Sequence, residues 1–178
     1  MLLCASALAI TSYLNVNDQS RLKDVLISGL NSEDAGTLSF AIRGIALLGS
    51  DIPNKDSLCK KLKVKSETQN SEALFHVGKA SAILGCSIHL TSAQKEKLEA
   101  AISASSGVSE LFFATGALSA FGNQLDAPKV LKALNSALKK DDSISNLGHA
   151  FQIASTLDGD VSSIFGRVED AVVQADQV

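Results

Sequence analysis

Hydrophobic positions in this chain recur with a long period. A twelve-residue block opening with leucine occurs at 38–49, 74–85, 111–122 and 147–158, reading LSFAIRGIALLG, LFHVGKASAILG, LFFATGALSAFG and LGHAFQIASTLD. The spacings are 36, 37 and 36 residues, a period that marks helical-repeat architectures. Within a block, Leu111, Ala114, Leu118 and Phe121 follow the i, i+3, i+7, i+10 spacing of one helix face. The ninth position is always small (Ala46, Ala82, Ser119, Ser155) and is expected to let a neighbouring helix approach. Glycine closes the first three blocks, at Gly49, Gly85 and Gly122, as a left-handed helix cap requires; Asp158 ends the fourth.

A second, more charged amphipathic segment lies between blocks. Its register is carried by Leu26, Leu62, Leu98 and Leu134, each 36 residues from the last. Thr91 or Ser92 can cap a helix over 91–104, and Pro128 suits the first turn of a helix over 128–140, where its missing N–H costs nothing. No alternation is sustained over a strand length. The expectation is an all-α, α/α helical-repeat solenoid of about four helix–turn–helix units, preceded by a leading helix near 19–30. Such units bury their apolar faces only by stacking, which predicts one domain over 10–178.

Composition narrows the function. The 46 % hydrophobic content supports a sizeable core, while only 4 % aromatic content makes that core aliphatic. With 16 basic against 19 acidic residues, no general grip on nucleic acid is expected. Residues 1–9 read as a signal-peptide remnant, because the apolar start is followed by the small-x-small triplet Ala7-Leu8-Ala9; the other reading is that they begin the first helix. If a leader carries away Cys4, the remaining Cys59 and Cys86 form an even pair able to bridge in an oxidising compartment. The other reading is two buried free thiols.

Candidate chemistry is sparse. The stretch from Gly44 to Ser50 imitates the glycine spacing of a phosphate loop, but it lacks lysine and reads as helix. Cys59, Cys86 and His89 would supply three zinc ligands without a fourth, so no metal or cofactor is expected. His76 occupies the repeat position of Phe40, Phe113 and His149, which points to packing. The acidic pairs Glu33-Asp34, Asp141-Asp142 and Glu169-Asp170 read as solvated surface. Lys55, Lys60, Lys61, Lys63 and Lys65 form one basic cluster, either a wet helix face or a patch that binds acidic partners or lipid headgroups.

Several segments then carry a family resemblance. Ser12-Tyr13-Leu14 followed by Arg21-Leu22-Lys23, the block from Phe40 to Gly49, Cys59 after a lysine-rich turn, Leu84-Gly85-Cys86-Ser87-Ile88, and Ala117 to Gly122 resemble the lumenal N-terminal domain of ribophorin II and its yeast counterpart. The resemblance runs in unbroken order from Ser12 to Leu157. It implies a non-catalytic structural domain in the lumen of the endoplasmic reticulum, contacting other subunits of the oligosaccharyltransferase, while a different subunit transfers the glycan to Asn-x-Ser/Thr. It also implies further β-rich domains and C-terminal membrane spans. Uncharged stretches such as 111–125 are shorter than the ~20 residues a span needs, so this chain reads as one domain of such a protein. It contains no acceptor sequon. A cytosolic helical-repeat adaptor, favoured by free thiols, and an α/α-toroid enzyme, favoured by clustered acids or histidines, are the alternative readings.

Overall fold

Nine α-helices account for every regular element among the described residues, 13–158 and 160–175, of this computed structural model. The stretch read as a leader, with Cys4, and Ser12 lie outside these residues. The leading helix is α1 (Val16–Gly29). The four repeat blocks fall in α2 (Ala35–Leu47), α4 (Ser71–Leu84), α6 (Val108–Ala120) and α8 (Ile144–Ala154). The charged segments between them form α3 (Lys55–Lys65), α5 (Ser92–Ala101) and α7 (Ala127–Leu138). A further helix, α9 (Ser162–Ala175), lies beyond the fourth block. The leucine register does not announce it, because the position 36 residues after Leu134 is Asp170; Ile164, fully buried, anchors it instead.

Local chemistry sets the helix ends. Gly49, Gly85 and Gly122 adopt φ of 65°, 72° and 75°. Behind them Ser50 N–H donates to the Ile45 carbonyl, Cys86 to Ser81, and Asn123 to Leu118, at 2.9–3.1 Å. These are six-to-one bonds of the Schellman type, which satisfy carbonyls the helix leaves orphaned. Thr91 and Gln94 form a reciprocal capping box at α5, and Pro128 sits in the first turn of α7 behind the Asp126 cap.

The chain divides into two compact units, residues 1–68 with 76–88 and residues 69–75 with 89–178. The division passes through α4 between Phe75 and His76. In the first unit the buried side chains include Leu38, Ile42, Ile45, Leu58, Leu62 and Val77. Here α1 and α2 approach at glycines: a Cβ on Gly29 would lie 3.0 Å from Ala41 Cβ, and one on Gly44 would lie 2.6 Å from Leu26 Cδ2. The second unit has a larger apolar core running from Leu74 and Phe75 through Leu98, Leu111, Leu118, Leu134 and Ile153 to Ile164.

The first residue of every block is buried, as the stripe requires, and so is the fourth (Ala41, Val77, Ala114, Ala150). The small ninth residues do not behave as expected. Ala46, Ala82 and Ser155 are exposed and Ser119 is half-buried. At 100° per residue the ninth position is rotated about 80° from the first, at the edge of the buried stripe. Helices meet instead across Ala41 and across Gly44 and Gly116.

Candidate functional site

The lysine-rich helix α3 buries only Leu58 and Leu62, four residues apart, leaving its polar side chains to settle around that stripe. Lys61 and Lys65, also four apart, turn toward the α1–α2 connection. Both ammonium groups reach the Glu33 carboxylate at 2.9 Å, Lys61 donates to the Asn31 carbonyl at 3.1 Å, and Lys65 donates to the Glu33 carbonyl. Their side chains are only 23 % and 15 % exposed, against 84 % for Glu33. Hydrogen bonds from Lys61 and Lys65, reinforced by their charges, pull the Glu33 carboxyl down to about 2. Two of the five clustered lysines therefore tie α3 to the α1–α2 connection. Lys55 and Lys60, with Asn54, Asp56 and Ser57, line an open hollow of about 440 Å³ at the start of α3, and Lys63 is exposed. Asn54 begins this helix at φ 54° with no side-chain cap bond.

The opposite anchor of α3 is covalent. Cys59 is joined to Cys86, with the Cα atoms 5.5 Å apart. Cys86 is the residue just past Gly85, so the glycine cap that stops α4 also presents this sulfur to α3.

Aromatic rings follow the second and third block positions. In the first unit Phe40 meets His76 edge-on at 5.3 Å. In the second, Phe75 packs on Phe112 and Phe113 at 5.1 and 5.7 Å, and His149 stacks on Phe112 at 4.5 Å. The histidines at this position thus pack as the phenylalanines do. A second hollow, of about 410 Å³, lies in the second unit among Ser119, Asn123, Gln124, Asp126, Thr156 and Asp158. Its polar groups are partly committed to the backbone: Asp126 caps α7, the Asn123 amide donates to Leu118 and Phe121, and Thr156 donates to Ile153. Among the described residues no three His, Cys, Asp or Glu side chains converge as a metal site, and no helix is long and apolar enough to cross a membrane.

A profile of the ribophorin II N-terminal domain matches residues 14–178. The chain belongs to the ribophorin II family. Ribophorin II proteins are subunits of the oligosaccharyltransferase of the endoplasmic reticulum. The matched range spans α1 to α9 and includes both bridged cysteines.

Two residues of this ribophorin II domain carry more than the sequence announces. Glu33 and Asp34 look like a solvated pair, yet Glu33 receives two lysines while Asp34 caps α2 through Thr37 N–H at 2.6 Å, which lowers its pKa. The signal for Asp34 was present, since an acid just before a helical stripe is a capping residue. Glu33 gave none, because its partners lie about thirty residues away in another helix.

Proposed function

We propose that this chain is a non-catalytic, lumenal domain of the oligosaccharyltransferase, acting through contacts with other subunits of that complex. The observation that carries the reading is the family match over residues 14–178, nearly the whole chain. The Cys59–Cys86 bridge supports the lumen, whose oxidising conditions let disulfides persist. On this reading residues 10–178 act as one helical-repeat domain that offers surfaces and supplies no reacting groups. Lys55, Lys60 and Lys63, the clustered lysines not drawn into the Glu33 tie, form a basic face available to acidic partners.

The test is affinity purification of the tagged full-length protein from endoplasmic reticulum membranes. Other transferase subunits are expected in the eluate. Charge reversal at Lys60 and Lys63 should weaken their recovery while leaving thermal unfolding unchanged. An eluate without those subunits, or oligosaccharide transfer by the isolated domain, overturns the proposal.

A further inference from the structure

One face of the first unit repeats a trio of residues one period apart. Phe40, Arg43 and Leu47 on α2 correspond to His76, Lys79 and Ile83 on α4. The i, i+3, i+7 spacing lines each trio along one side of its helix. The two trios lie side by side: Phe40 and His76 are in ring contact, and Asp34 sits with Gly36 and His76 at the end of the face. The Arg43 guanidinium lies 5.8 Å from the centre of the Phe40 ring. Lys79 is half-buried, and its pKa is lowered, first by that burial and then by the charge of Arg43. Two cations are therefore held near each other in a partly dry setting. Around them Phe40, Leu47 and Ile83 stand 58 %, 60 % and 41 % exposed.

The same repeat positions in the second unit hold Phe113, Gly116 and Ala120, then His149, Gln152 and Thr156, with no cation among them. What sets the first unit apart is the combination of exposed phenylalanine, leucine and isoleucine with two neighbouring cations on one face.

The geometry points to a docking face for an acidic, amphipathic polypeptide segment of a partner protein, its apolar side chains on Phe40, Leu47 and Ile83 and its carboxylate between Arg43 and Lys79. A carboxylate there would be attracted by both charges and could engage the guanidinium through two parallel hydrogen bonds. A bilayer fits less well. Arg43 and Lys79 are half-buried, within reach of a single inserted carboxylate but recessed from the plane of a headgroup layer. The inference rests on the partner-binding role proposed above and names the chemistry of one partner.

The experiment uses the tagged full-length protein in endoplasmic reticulum membranes. Recovery of the other transferase subunits is compared for wild type, Phe40→Ala with Leu47→Ala, Arg43→Glu with Lys79→Glu, and Arg43→Lys. A loss of about tenfold is expected for the two double variants, the size of a central contact at an interface, with most binding kept by Arg43→Lys. In parallel, a photoreactive benzoylphenylalanine at Leu47 should attach to a peptide containing Asp or Glu. Undiminished recovery by both double variants overturns the inference, as does a cross-link to lipid or to a peptide without acidic residues. The cross-link also decides the matter should a double variant unfold. If wild type itself recovers no subunits, the functional proposal fails; if wild type and variants recover them equally, only the docking face does.

Discussion

Helices α3 and α7 occupy the same place in the repeat, two periods apart, yet are fastened by different means. α7 buries Val130, Ala133, Leu134, Ala137 and Leu138. α3 buries Leu58 and Leu62, and the positions around them hold Lys60, Lys61, Lys63 and Lys65. A fully buried Val or Leu side chain contributes about 1.5–3 kcal/mol, so Val130, with the smaller gain from two alanines, gives α7 a few kcal/mol of burial that α3 lacks. The Cys59–Cys86 bridge and the Glu33–Lys61–Lys65 tie both act on α3, in the first unit. A shared period thus sets where helices begin and end without dictating how each is held. A polar helix can keep its place if covalent and ionic ties replace the missing apolar area.

The sharpest way to break this comparison is to remove the covalent tie. Cys59→Ser should destabilise the first unit by about 3–4 kcal/mol, the chain-entropy value for a loop of this length. Amide exchange resolved by residue should show α3 opening first, with α7 protected as before. Equal loss of protection in both helices would mean that α3 does not depend on its bridge more than α7 depends on its core.

Glycines at helix contacts test how much room each unit has. Gly116→Ala would place a Cβ 2.6 Å from a Phe75 ring carbon, and that ring is confined by Phe112 and Phe113. Overpacking of this kind costs about 1–3 kcal/mol, partly offset by the ~1 kcal/mol by which alanine outdoes glycine in a helix. Gly44→Ala meets Leu26 at the same distance, but Leu26 is only half-buried and can swing away. Urea denaturation should rank Gly116→Ala as the more damaging. The reverse order would show that the second core has slack.

Acid should separate the units next. The Glu33 pKa is lowered on folding, so its stabilisation is complete above the ordinary carboxylate value of about 4.3 and is lost as pH falls through about 2. Asp34, lowered by Thr37, acts in the same direction. Water screens the exposed Glu33 carboxylate, which keeps the effect modest. Exchange protection in α3 should therefore fall between pH 4 and 2, and Glu33→Gln should flatten that dependence. An unchanged acid response in Glu33→Gln would remove the ionic tie from the account.

Much of the architecture was legible because helix stripes and caps are local. The leucine register placed α1 to α8, the glycines at 49, 85 and 122 gave the left-handed stops, and Thr91 and Pro128 marked helix starts. What was not legible depends on partners far along the chain. Lys61 and Lys65 looked equivalent to Lys60 and Lys63 until Glu33 was seen beside them. The exposure of Phe40 and Leu47 on α2 was hidden for a related reason. Alignment of the blocks pairs Phe40, Arg43 and Leu47 with His76, Lys79 and Ile83, but only packing shows which faces stay uncovered. α9 escaped because Asp170 interrupts the register that a fifth leucine would have continued.

The smallest expected effect concerns the residue type that repeats most faithfully. Small side chains at the ninth block position suggest a close helix contact, and on that view Ala82→Leu would overpack and cost about 1–3 kcal/mol. In the structure Ala82 is exposed, while the tight approaches lie at Gly29, Gly44 and Gly116. A larger side chain at Ala82 would extend into solvent, and leucine is nearly as good a helix former as alanine. The expected change is within about 0.5 kcal/mol, the usual range for surface substitutions, read as an unshifted denaturation midpoint beside the clear shift of Gly116→Ala. A loss of a full kcal/mol or more at Ala82 would mean that the ninth position is a contact after all. That result would place the small-residue stripe, rather than the glycines, at the seam between helices.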